Sequence, residues 1–194
     1  VHFGQPICPN TNQTSTIISR PTLIGKIEQY FKGNKTNEVV VLKGKEGAGK
    51  SWILAQSWLH QEDKPILLFF SPQEFSTKFN VNDFKSLLIQ KLIKQTDSKL
   101  SNVSTNRWER LVEQWEESES TGNLNKKIVI LIDGINQIPK NDWAIIIDTI
   151  YIETKKLNAT IFVSTRKPYF DSFIKNRIES PLKEIVIPEW TVAE

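Results

Sequence analysis

Methionine is absent from the 194 residues, cysteine occurs once, at Cys8, and histidine only twice, at His2 and His60. A single cysteine excludes an intramolecular disulfide framework and fits a reducing, cytoplasmic compartment. Two isolated histidines without partners at metal spacing make no zinc-type site and read as solvated surface. A chain with no methionine, not even at position 1, reads as a segment of a longer polypeptide. Long apolar runs are missing too. Ile66–Phe70 and Ile128–Ile132 are strand-sized, far short of the roughly 18 residues of a membrane helix. Charge of one sign is scarce, since 25 Lys and Arg stand against 22 Asp and Glu for a net +3. That balance announces no nucleic-acid surface. The polar, Pro6-containing start has no apolar signal region, so the Asn-x-Ser/Thr matches at Asn12, Asn34, Asn102 and Asn158 read as chance patterns.

What is present is ordinary globular material, 39% hydrophobic and 24% charged, which excludes disorder of the whole chain. Residues 1–16 read as an extended lead-in and 17–194 as one domain. Ser19 and Pro21 suit a helix start, and Leu23, Ile24, Ile27, Tyr30 and Phe31 recur at helical spacing until Gly33. Val39–Leu42 is a short β-branched run that predicts a fully buried strand. Helix Ser51–His60 and strand Ile66–Phe70 follow, then helices over Val81–Gln95 and Asn106–Glu117. Gly122 and Asn123 turn into strand Ile128–Ile132. Helix Trp143–Lys156, strand Thr160–Val163, helix Tyr169–Arg177 and strand Glu184–Ile187 complete the series. Apolar strands alternating with helices predict an α/β domain with a buried parallel sheet. Trp52, Trp58, Trp108 and Trp115 read as packing residues. The acids around Glu113–Glu119 and the pairs Lys126-Lys127 and Lys155-Lys156 read as wet faces.

Gly44-Lys45-Glu46-Gly47-Ala48-Gly49-Lys50-Ser51 matches G-x-x-x-x-G-K-[ST] in full, between a predicted strand and a predicted helix. Glycines let the backbone turn its N–H groups toward a phosphate, and the next helix points its positive end at the same anion. Lys50 would reach the β- and γ-phosphates, and the Ser51 hydroxyl would ligate Mg²⁺. Gly44, Glu46, Gly47, Ala48, Gly49 and the helix-start residue Trp52 complete the candidate cradle.

Ile128–Ile132 ends in Asp133. At the carboxyl end of a parallel strand this acid would lie beside the loop, where open α/β sheets place ligands. It would coordinate Mg²⁺ directly or through Ser51. A strand between the loop strand and the acidic strand points to ATP hydrolysis rather than small-molecule kinase chemistry, and no arginine pair marks a kinase-type lid. Arg166 is the charged residue ending the fourth strand, where its guanidinium can lie near a γ-phosphate. It can equally be a surface arginine opening the turn before Pro168.

From about Ile17 onward the chain resembles the STAND ATPases, signal-transduction ATPases with numerous domains, including the NACHT and apoptotic-ATPase branches. Ile17-Ile18-Ser19-Arg20 looks like the entry segment that holds adenine, which implies roles for Ile18 and Arg20. Asp133-Gly134-Ile135-Asn136-Gln137 is similar to the family's acidic strand end, and Thr160–Arg166 to its sensor strand. Glu184–Glu194 resembles the last strand and the exit toward a lid and winged helix. The resemblance implies a P-loop NTPase core with a five-stranded parallel sheet in the order 5-1-4-3-2 between helices.

One departure bears on chemistry. Where the family carries a water-activating Glu, this chain has Gln137, preceded by Asn136. An amide orients water but takes no proton. The expectation is an ATP- and Mg²⁺-binding, slowly hydrolysing switch, with Asp133, Gln137 and Arg166 as the catalytic set and Ser51 and Asp133 as metal residues. The resemblance implies nucleotide-controlled self-association of a parent protein in immune, cell-death or antiviral defence signalling, with the sensed protein or pathogen ligand bound by other domains. An AAA+-type DNA-associated ATPase and a nucleotide-binding scaffold without turnover are the alternatives.

Overall fold

A computed structural model describes residues 20–31, 38–75, 84–96, 99–120 and 128–189, the side chains of 118–120 excepted. The expected lead-in, Cys8, His2, Ile18, Ser19 and Lys126-Lys127 lie outside these residues.

Five strands form one parallel sheet: β1 (Val39–Lys43), β2 (Ile66–Phe70), β3 (Ile128–Ile132), β4 (Thr160–Thr165) and β5 (Leu182–Val186), in the order β2-β3-β4-β1-β5. This is the expected order. The strand lying between β1 and β3 in space is β4, whereas β2, which separates them in sequence, is at the sheet edge.

Alternating side chains of the inner strands enter two separate cores. Val39, Val41, Ile130, Ile132, Ile161 and Val163 join one core with α3 (Phe84–Gln95) and α5 (Trp143–Lys155). Val40, Leu42, Val129, Leu131 and Phe162 join the other with α1 (Pro21–Glu28) and α2 (Lys50–Leu59). Burial on both faces is why these strands read as unbroken apolar runs rather than alternating ones. Each large side chain so buried contributes about 1.5–3 kcal/mol. Trp143 is buried in the first core, where its Nε1 donates to the Ile138 carbonyl at 2.8 Å.

Several boundaries differ from expectation. Arg20, not Ser19, occupies the N-cap of α1, and the regular helix ends at Glu28, with turns carrying the chain to Phe31. Helix α4 (Asn102–Ser120) starts four residues before Asn106 because Ser101 and Ser104 cap its end reciprocally through their hydroxyls and backbone N–H groups. Apolar periodicity cannot see a polar first turn. β4 runs two residues beyond Val163, since Ser164 and Thr165 still pair with Leu42 and Lys43. The last helix, α6 (Lys167–Phe173), starts directly after Arg166 with Pro168 in its first turn, two residues earlier than read. β5 is shifted to Leu182–Val186, although Ile187 still donates its N–H to the Lys43 carbonyl at 2.7 Å. Among the described residues, no helix is long and apolar enough to cross a membrane.

Candidate functional site

The carboxyl ends of β1, β4 and β3 lie side by side and open onto a cleft of about 370 Å³. The loop after β1 forms one wall. Gly47 and Gly49 take left-handed φ values of 75° and 81°, which a side-chain-bearing residue adopts only with strain, and Gly49 is the N-cap of α2. A Cβ on Gly44 would stand 2.7 Å from the Ile187 carbonyl, so only glycine lets the loop start this close to the exit of β5.

Lys50 reaches back along the loop and donates to the carbonyls of Lys45 at 2.7 Å and Gly44 at 3.2 Å. Burial pushes its ammonium below the ordinary lysine range. Asp133 and Glu46 oppose that shift, and the positive charge of Arg166 adds to it. An amine in this setting gains from any anion that enters beside it.

The second wall comes from the end of β3. Asp133 is 7% exposed. Its Oδ1 accepts the Ser51 hydroxyl at 2.5 Å and also the hydroxyl of Ser164. Ser164 in turn accepts the Gly134 N–H on its Oγ at 2.9 Å. The Asn136 side-chain oxygen accepts the backbone N–H of Arg166 at 3.1 Å, and the Arg166 guanidinium pairs with Glu46 on the loop.

Of the residues expected from sequence, Glu46, Gly47, Gly49, Lys50, Ser51 and Trp52 line this one cleft with Asp133, Gln137 and Arg166. Gly44 and Ala48 are part of the loop but not of the lining; Ala48 is buried in the second core. Arg20 lies at the start of α1. It is buried, and its guanidinium donates to the Pro188 carbonyl at 2.8 Å, tying the start of α1 to the exit of β5. Arg20 does not line the cleft, and Ile18 lies outside the described residues.

Ser164, which donates to Asp133, and Asn136, which accepts from the Arg166 N–H, carry no recognisable motif role in the sequence. The available signal was a polar residue directly after the apolar run of the strand beside the loop strand. Two further clefts, about 460 and 620 Å³, follow the first half of α4, and neither is lined by an Asp or Glu. Only the loop cleft combines an ammonium, a hydroxyl and a carboxylate among the described pockets.

Two comparisons bear on this geometry. The profile of the family described as nephrocystin 3, N-terminal, matches residues 25–166, which contain the whole loop, Asp133 and Arg166. The chain belongs to that family. No curated protein matches it. Among solved structures it is similar to a chain in the structure of Drosophila ORC bound to DNA, with a TM-score of 0.54 at 14% identity. That likeness covers 90% of this chain and 47% of the other, so the chain spans about half the length of its structural relative. At this identity the fold alone is what is shared.

The donors in the cleft suit Mg²⁺. They are hard oxygens from one hydroxyl and one carboxylate, and among the described residues no group of three or more His, Cys, Asp or Glu could hold a metal by itself. Mg²⁺ commonly takes one or two such ligands and completes its shell with water and phosphate oxygens.

Proposed function

We propose that this domain binds adenine nucleotide with Mg²⁺ in the loop cleft and works as a slowly hydrolysing, nucleotide-controlled switch of the STAND type. The observation that carries the reading is the contact between Ser51 and Asp133 beneath a complete phosphate loop. It unites two sequence motifs at the carboxyl edge of the sheet, with Lys50 half-buried alongside.

Each residue has a role in this reading. The backbone N–H groups of Gly47–Ser51 and the Lys50 ammonium hold the phosphates. Ser51 and Asp133 would hold Mg²⁺, which when bound neutralises charge on the phosphate oxygens. Ser164 fixes the Asp133 carboxylate by donating to it. Gln137, exposed at the rim, orients water and accepts no proton, so turnover is slow. Arg166, rooted by Asn136, supplies a guanidinium for the terminal phosphate. Control of self-association in defence or cell-death signalling follows from the resemblance to STAND proteins and belongs to the parent polypeptide.

Calorimetric titration with ATP and Mg²⁺ tests the core of the reading. Wild type binds, and Lys50→Ala loses a charge-assisted contact of about 1.5–3 kcal/mol, roughly ten- to a hundredfold in affinity. Equal binding by the two proteins would remove the loop as the site.

A second reading, an AAA+-type DNA-associated ATPase, draws on the likeness to the ORC chain and on Arg107 and Arg110, both exposed on α4. Salt-dependent binding of duplex DNA, weakened by Arg107→Ala and Arg110→Ala, would favour it over the switch.

A further inference from the structure

Glu46 is an unexpected residue in an anion-binding loop, because its carboxylate adds negative charge where phosphates are to be held. Its side chain is 79% exposed, and the structure gives it one strong partner, the guanidinium of Arg166, itself 51% exposed. Arg166 arrives from β4, on the far side of the loop strand's end, and its backbone is held by the Asn136 side chain at 3.1 Å. The root of the side chain is therefore fixed, and the guanidinium pairs with Glu46 across the cleft. Both residues line the loop cleft. A guanidinium presents N–H donors in a planar fork that fits a carboxylate and a phosphate alike.

We propose that Glu46 is a specificity-determining residue: its carboxylate competes with the terminal phosphate of a bound nucleoside triphosphate for the Arg166 guanidinium, and so lowers the preference for triphosphate over diphosphate. The proposal rests on the nucleotide-binding reading above. It follows from charge balance. A triphosphate that recruits Arg166 must displace Glu46 and leave a carboxylate facing the phosphates, whereas a diphosphate leaves the Arg166–Glu46 pair intact. Glu46 thus sets the level at which the arginine reports the third phosphate. Lys50 shares the same field, since Arg166 and Glu46 push its ammonium in opposite directions.

The test is a set of calorimetric titrations with ATP and with ADP, both in Mg²⁺, on wild type, Glu46→Gln, Arg166→Ala and the double variant. Thermal melts of all four confirm folding. Glu46→Gln is expected to raise the ratio of the ADP to the ATP dissociation constant about two- to fivefold, the worth of an exposed ion pair. In the Arg166→Ala background the same substitution is expected to leave that ratio unchanged. An unchanged ratio in the single variant, with both nucleotides bound, overturns the proposal. An equal rise in both backgrounds also overturns it, because Glu46 would then repel phosphate directly without Arg166. Wild type binding neither nucleotide removes the nucleotide reading itself, and this proposal with it.

Discussion

Ser51 Oγ donates to Asp133 Oδ1 at 2.5 Å, joining the start of α2 to the end of β3 across 82 residues. In the proposed reading, a hydroxyl and a carboxylate held this close would form one ligand pair for Mg²⁺, so either substitution should act on the metal rather than on the nucleotide alone. Ser51→Ala and Asp133→Asn are each expected to cut the Mg²⁺-dependent gain in ATP affinity by about ten- to a hundredfold. Titrations in EDTA and in Mg²⁺ separate the two contributions. A metal-dependent gain that survives in both variants would place the ion elsewhere.

Hydrolysis should be slow for a reason visible at one side chain. In the proposed reading, Gln137, which lines the cleft, takes the place of a carboxylate that would accept the proton of the attacking water. Wild-type turnover is expected far below the ordinary enzyme scale of about 10 s⁻¹. Gln137→Glu is expected to raise it by up to about a hundredfold, the low end for general-base catalysis. Phosphate release under single-turnover conditions reads both. A wild-type rate near the ordinary scale would mean that another group activates the water.

Gly134 connects the Asp133 carboxylate to that glutamine. Its φ is 76°, and a Cβ there would stand 2.5 Å from Gln137 Nε2. Gly134→Ala is expected to cost about 1–2 kcal/mol of stability from the left-handed backbone and to push the amide off its place. Urea melts measure the first effect, and turnover of the same variant measures the second. Full stability with full activity would show that this turn accepts a side chain.

A separate charge cluster, none of whose residues lines the loop cleft, offers a test of stability. Lys43, whose side chain is 4% exposed, pairs with Asp171 at 2.6 Å and with Glu184, and Lys175 reaches Glu184 at 2.8 Å. Hydrogen bonds from Lys175 and Lys43 hold the Glu184 carboxyl below its ordinary value of 4.5, outweighing burial. Burial alone would lower the Lys43 ammonium, but Asp171 and Glu184 together raise it above 10.5. The Glu184 contribution is therefore present above 4.5 and lost as pH falls through its depressed pKa. That of Lys43 is present below 10.5 and lost as pH rises through its raised pKa. Glu184→Gln is expected to cost about 1 kcal/mol at neutral pH, with the difference from wild type vanishing in strong acid. Urea melts across the acid limb check it. A difference independent of pH would mean that packing, not charge, is lost.

Much of this molecule is written locally. The loop motif of Gly44–Ser51 depends on residue types at fixed spacing, and its context, a buried strand before and a helix after, depends on runs of Val, Ile and Leu that need no partner to be recognised. Asp133 is legible for the same reason, as an acid closing an apolar strand. The boundaries of α4 and β4 shifted where polar residues continue an element, Ser101 and Ser104 by capping and Ser164 and Thr165 by strand pairing. Periodicity carries no trace of such bonds.

The sequence by itself determined that a phosphate loop, an acidic strand end and a strand ending in Ser164-Thr165-Arg166 would occupy one edge of a parallel sheet. Which atoms meet there was decided only by the tertiary structure. Ser164 and Ser51 share one oxygen of Asp133 because β4 lies between β1 and β3, an adjacency between segments far apart in the chain. The buried Arg20 guanidinium donates to the Pro188 carbonyl, an acceptor that packing supplies from 168 residues away. Arg166 meets Glu46 for a similar reason: two motifs 120 residues apart bring opposite charges to the same lip of the cleft. Local chemistry names the groups of the site, while sheet order and burial decide their partners.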